Sequence, residues 1–96
     1  MATVIKIPIS EGANGYHDRY KKLSARSRVV MRHMGELYRA TGESAFSMDD
    51  FRGKGLGTWR QLRDAFYELE SRNLGSVIRG RIGVGFNGSE PALQAL

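Results

Sequence analysis

TWRQLRDAFYELESRN, residues 58–73, places Trp59, Leu62, Phe66 and Leu69 at i, i+3, i+7 and i+10. That spacing lays four large apolar side chains along one face of a 3.6-residue period and predicts an amphipathic helix. Thr58 suits the N-cap, because its hydroxyl can accept an orphan backbone N–H of the first turn. Asn73 and Gly75 bracket the exit, where residues that tolerate a left-handed backbone are wanted. The opposite face carries Arg60, Gln61, Asp64, Tyr67 and Glu68. Arg60, Gln61 and Arg63 lie in the N-terminal half, and Glu68 and Glu70 in the C-terminal half. A helix that meets an anion end-on has this polarity. Trp59, Leu62, Phe66 and Leu69 are expected in the core, against Val30, Met34, Leu37 and Phe51.

Upstream, residues 24–41 predict a second helix. Val30, Met34 and Leu37 share a face, flanked by Met31 and Tyr38. Ser24 or Ser27 suits its start, and Gly42 ends it. Gly35 inside that pattern costs about 1 kcal/mol relative to Ala, which points to close packing against another helix or to a weak spot. Residues 43–46 read as a linker. In the SMDDF stretch, residues 47–51, Asp49 and Asp50 suit the positive end of a short helix. GKGLG, residues 53–57, breaks that helix and turns the chain into the Thr58 helix.

At the N-terminus, TVIKIPI (residues 3–9) reads as a short strand, and Pro8 confines it to a sheet edge. Residues 10–16 read as a loop, and residues 17–22 as a basic helical turn or arm. Downstream of the Thr58 helix, SVIRGRIGVGF (residues 76–86) reads as a hairpin turning around Arg79–Gly83. PALQAL, residues 91–96, reads as a last helical turn.

The order of strand, helix, short helix, turn, helix and hairpin resembles a winged helix-turn-helix domain. The resemblance covers roughly residues 24–86. It rests on SMDDF as the second helix, GKGLG as the turn, TWRQLRDAFYELESRNLG as the recognition helix and its exit, and VIRGRIGVGF as the wing. It implies a small α+β domain with three helices, a short β-hairpin wing and an N-terminal edge strand. Residues 1–22 form a strand and basic arm, 23–88 the domain and 89–96 a tail. The N-terminal strand and the tail are the pieces left over for a dimer contact.

Composition narrows the function classes. Ninety-six residues make one small domain. The absence of Cys excludes disulfides and thiolate metal sites. Two separated His residues, His17 and His33, do not make a metal centre, and no metal or cofactor is expected. No apolar run approaches the ~20 residues that span a bilayer, and no signal peptide is visible, so a cytoplasmic protein without membrane contact is expected. The net charge is +5. Residues 1–42 carry eight Lys or Arg against three Asp or Glu, which concentrates the excess at the N-terminal side. Such an excess points to a polyanion, or to a solvated basic surface.

Catalysis has little support, since no arrangement of Ser, His and Asp forces a triad. The glycines of 53–57 and 80–85 match neither a P-loop nor a dinucleotide fingerprint. In the winged-helix resemblance the recognition helix enters the major groove by its N-terminal half. Thr58, Arg60, Gln61 and Asp64 then face bases or nearby phosphates, with Arg suited to guanine and Gln to adenine. Lys54 meets a phosphate at the turn. Arg79 and Arg81 reach a minor groove or phosphates from the wing tip. Arg26 and Arg28 in the basic arm meet phosphates. The expected function is sequence-preferring binding of double-stranded DNA by a homodimer, as a transcriptional repressor or an organiser of a DNA site. The alternative is a protein-binding module, such as a phage-encoded inhibitor of a host complex, whose basic face meets an acidic protein.

Overall fold

The structure is a computed structural model that describes residues 15, 16, 18–80 and 83–96. The strand expected over residues 3–9, His17 and Arg81 lie outside the described residues. Residues 15, 16 and 18–21 are helical. Thereafter come α1 (Ala25–Thr41), β1 (Ala45–Ser47), a 3₁₀ turn (Met48–Phe51), α2 (Trp59–Ser71), β2 (Gly75–Gly80), β3 (Gly83–Gly88) and α3 (Glu90–Gln94). The strands form an antiparallel sheet in the order β1-β3-β2. This is a small α+β fold of winged-helix-like layout, with β2 and β3 as the hairpin.

The two longer helices begin at side-chain caps. The Ser24 side chain accepts the Ser27 N–H at the start of α1. Gly42, at φ 77°, closes its end, donating its N–H to the Tyr38 carbonyl at 2.7 Å. Thr58 and Gln61 form a reciprocal capping box at the start of α2, with bonds of 3.2 and 2.9 Å. Asn73 adopts φ 58° just beyond α2, a left-handed conformation that Asn tolerates better than most residues.

The core is a chain of aromatic rings that crosses every layer. Phe46 of β1 meets Phe51 of the 3₁₀ turn at 6.3 Å, and Phe51 meets Phe66 of α2 at 5.3 Å. Phe66 in turn meets Phe86 of β3 at 5.6 Å. Val30, Met31 and Met34 bring α1 onto this chain, and Leu62, Ala65 and Leu69 complete the α2 stripe. The His33 ring packs edge-on to Phe51, and its Nε2 lies 3.1 Å from the Asp50 carbonyl oxygen. His33 is thus part-buried at the edge of the core.

Three expectations are corrected. Trp59 is 51% exposed, not core. At about 100° per residue it sits about 70° from the centre of the α2 stripe, which runs between Leu62 and Leu69. A first-turn residue at the rim of a stripe overhangs the core. The supposed linker at 43–46 supplies β1, because Phe46 is drawn inward while Ala45 and Ser47 pair with Asn87 and Gly85. The residues read as a tail form α3, which packs onto the domain. Ala92 and Leu93 of α3 are buried, and the Gln94 side-chain amide donates to the Tyr38 hydroxyl at 3.0 Å. A Cβ on Gly35 would stand 2.9 Å from Leu96 Cδ1, so the glycine admits the chain end onto α1. The close packing expected at Gly35 is therefore against the tail.

Two carboxylates of α2 tie it to its neighbours. Glu68 accepts from the Ser27 hydroxyl at 2.5 Å, the Ser24 hydroxyl at 2.8 Å and the Ser24 N–H at 2.9 Å. It is thereby a second cap on α1, placed where the helix dipole favours a negative charge. Glu70 accepts the Val77 N–H at 2.8 Å and so covers the free edge of β2. Burial raises the Glu68 carboxyl, but the bonds from Ser27 and Ser24, with the charge of Arg72, outweigh it and hold the pKa below its ordinary value.

Two stability outcomes follow from this packing. Phe66→Ala removes the middle ring and should cost about 3–5 kcal/mol in urea unfolding. A variant as stable as the parent would contradict the aromatic chain. For Glu68, a folded pKa below the unfolded one contributes stability that is present above the unfolded pKa. That contribution is lost as pH falls through the folded pKa. Glu68→Gln should therefore melt below the parent at neutral pH, and the gap should close as pH falls below the ordinary glutamate range. Melting curves recorded between neutral and strongly acid pH check this.

Candidate nucleic-acid interface

The contacts of α2 divide its circumference into three. Leu62, Ala65 and Leu69 face the core. Trp59, Arg63, Tyr67 and Glu70 run along the hairpin side, and Gln61 and Glu68 along the α1 side. At about 100° per residue, Arg60, Asp64 and Ser71 form the outward ridge between the two flanks, with Tyr67 where that ridge meets the hairpin side. Arg60, Asp64 and Ser71 are exposed, and Tyr67 is half-buried.

The turn before α2 is shaped by its glycines and by Arg26. Gly53 and Gly55 hold φ of 71° and 70°, which set Lys54, exposed, at the apex between them. Gly57 holds φ 135°, and a Cβ there would meet the Arg26 guanidinium and the Gln61 carbonyl oxygen. Arg26 donates to the Leu56 carbonyl. It therefore braces the turn from α1 and sets where α2 begins. Arg26, Thr58 and Gln61 are brought together at the tip of α2.

The expected site residues fare differently within this arrangement. Arg60 and Asp64 project outward as a reading face requires. Thr58 and Gln61 are turned on each other, since the Gln61 Oε1 accepts the Thr58 N–H. That geometry leaves the Gln61 amide nitrogen as its free group and disfavours the two-bond pairing to adenine. Arg28 lies about 200° round α1 from Arg26, on a different face, so the two do not act as one cluster. Arg79 donates from Nε to the Tyr67 hydroxyl at 3.2 Å, with its guanidinium 5.4 Å from that ring's centre. The wing arginine is thus anchored to α2 and exposed beside its outward ridge. Within the arm, Arg19 donates to the Asn73 carbonyl at 3.4 Å, while Lys21 and Lys22 are exposed.

Two features escaped the sequence reading. Glu68 and Glu70 do not make the acidic tail of a polarised helix exposed to solvent, because both serve as internal acceptors. The second feature is the surface around Trp59. Arg63 stacks over the indole at 5.2 Å from its centre. Among the described residues the buried Arg63 Nε meets no acceptor. Trp59 and Ile78 are both large and exposed, and both line a groove formed mainly by β1, the 3₁₀ turn and the hairpin. The position of Trp59 at the rim of its stripe was the available signal. Among the described residues no helix is long and apolar enough to cross a membrane. Comparison with known protein families, with curated proteins and with solved structures finds no match.

Proposed function

We propose that this protein is a winged helix-turn-helix protein that binds double-stranded DNA with sequence preference, in the cytoplasm, as a repressor or an organiser of a DNA site. The observation that carries the reading is the outward ridge of α2. Its first turn presents Arg60, exposed, and the hairpin presents Arg79, exposed and anchored to Tyr67 at the edge of the same ridge. A helix tip that is basic and exposed, with a second basic element at its flank, matches one element in a major groove and one on the neighbouring backbone. The net charge of +5 adds a general attraction to the phosphates.

Arg60 and Arg79 then differ in role. Arg60 projects from the first turn of α2 and reaches base edges, so Arg60→Ala should lose roughly 1–3 kcal/mol on a preferred duplex and much less on random DNA. Arg79 meets phosphate or a minor groove, so Arg79→Ala should weaken all duplexes evenly and lower the salt slope by about one unit. Sites selected from random duplexes, followed by titrations at several salt concentrations, measure both. Unchanged affinities in Arg60→Ala would remove α2 as a reading element. Binding of an acidic protein without binding of any duplex would move the basic surface to the alternative partner.

The proposal includes a two-fold dimer, since one winged helix reads few base pairs and a palindrome doubles the contacts. Light scattering on the protein–DNA complex should give two chains per palindromic duplex. A single chain at all concentrations removes the dimer and leaves DNA binding in place.

A further inference from the structure

The first long helix, α1, carries a basic face that the reading of α2 does not use. At about 100° per residue, Arg28, Arg32 and Arg39 fall within about 40° of one another. They lie about 100° or more round the helix from Ser27, Val30 and Met34, which face the core, and about 120° or more from Arg26. All three are exposed. At about 1.5 Å per residue they span ~16 Å of the helix. Arg32 donates from Nη2 to the Tyr20 hydroxyl at 3.2 Å, and that hydroxyl donates to the Arg28 carbonyl at 3.3 Å. The arm is thereby laid beside this face, and the exposed Lys21 and Lys22 follow Tyr20 in it. The acid of α1 is Glu36, one turn beyond Arg32, and it leans to His33 at 3.9 Å. Among the described residues the side-chain ion pairs are that contact and Arg52–Asp49, so none of the three guanidiniums is paired with a carboxylate.

We propose that this face of α1 holds the phosphate backbone of a second DNA duplex while α2 holds the first, so that one molecule bridges two DNA segments. The inference rests on the DNA-binding reading of α2. The α2 ridge and the α1 face each point away from the core that the two helices share. A straight duplex lying on the ridge therefore leaves the α1 face open. The partner is read from charge complementarity. A duplex carries about one negative charge per 1.7 Å of its axis, so it offers roughly ten along the ~16 Å line of arginines. Guanidinium forks bond phosphate oxygens two at a time. A lipid surface calls for a broad apolar stripe beside the cations. Among the described residues of α1, Val29 is the large hydrophobic left exposed, and one valine makes no stripe. An acidic protein surface is set with charges of both signs, which a line of one sign does not match along its length. Contacts to phosphate read no bases, so the second duplex is held whatever its sequence.

The test immobilises a duplex that the protein prefers, loads it with protein, and offers a labelled duplex of random sequence. Wild type should capture the labelled duplex. The double variant Arg32→Gln, Arg39→Gln should load the immobilised duplex within about twofold of wild type and capture roughly tenfold less of the second. Arg52→Gln with Arg72→Gln makes the same change in net charge elsewhere and should capture as wild type does. Equal loss in both double variants would trace capture to net charge and overturn the inference. Capture retained in Arg32→Gln, Arg39→Gln and lost in Arg60→Ala overturns it too, because two α2 ridges of a dimer would then hold the two duplexes. Wild type that loads the first duplex and captures no second one overturns the bridge and leaves DNA binding by α2 intact. Loaded protein that captures phosphatidylserine vesicles, or an acidic protein, in place of the labelled duplex assigns the α1 face to that partner instead. If wild type does not load the immobilised duplex at all, the DNA-binding reading falls and this inference with it.

Discussion

Phe66 has no solvent exposure and stands between Phe51 and Phe86, so one ring joins the 3₁₀ turn, α2 and β3. Edge-to-face and tilted ring contacts of this kind are directional, and they fix angles as well as distances. Because Phe86 sits at the centre strand of the β1-β3-β2 sheet, the position of Phe66 sets where the hairpin stands relative to α2. Phe46 extends the chain through Phe51 to β1. The outward ridge of α2 and the reach of the hairpin are both consequences of this one line of rings.

Polar contacts then complete what the rings begin. Glu68 holds the start of α1 through Ser24 and Ser27, and Ser27 is 1% exposed, so its hydroxyl has a buried need that Glu68 meets. Glu70 closes the edge of β2, and Tyr67 anchors Arg79. Along α2, successive residues on one flank therefore grip the hairpin while Glu68 grips α1. The tip of α2 is set from the other side, where Arg26 of α1 meets the Leu56 carbonyl. A helix held in this way presents Arg60 and Asp64 at a defined angle to whatever it meets. Preorganisation of this kind lowers the ordering cost of binding.

The charge of the molecule and the geometry of α2 bear on different parts of the proposed function. Net charge governs attraction to any polyanion and the response to salt. The outward ridge, with one Arg and one Asp one turn apart, is where discrimination among sequences would arise.

The helical stretches were legible in the sequence because period and caps are local. Thr58, Ser24, Gly42 and Asn73 mark their ends through bonds and dihedrals that involve a few neighbouring residues. The hairpin was legible for the same reason, and its described pairing runs from Gly75↔Gly88 to Gly80↔Gly83. Tertiary structure alone decided the rest. Whether Trp59 entered the core depended on where the hairpin and the 3₁₀ turn met α2, since a residue at the rim of a stripe is buried only if a neighbour covers it. Glu68 and Glu70 read as solvent charges, because their partners lie in β2 and 41 to 44 residues away in α1. PALQAL read as spare, since only the folded chain brings Leu96 to the notch at Gly35. Periodicity reports which side of an element is apolar, while the identity of what covers that side is a property of contacts far apart in the chain.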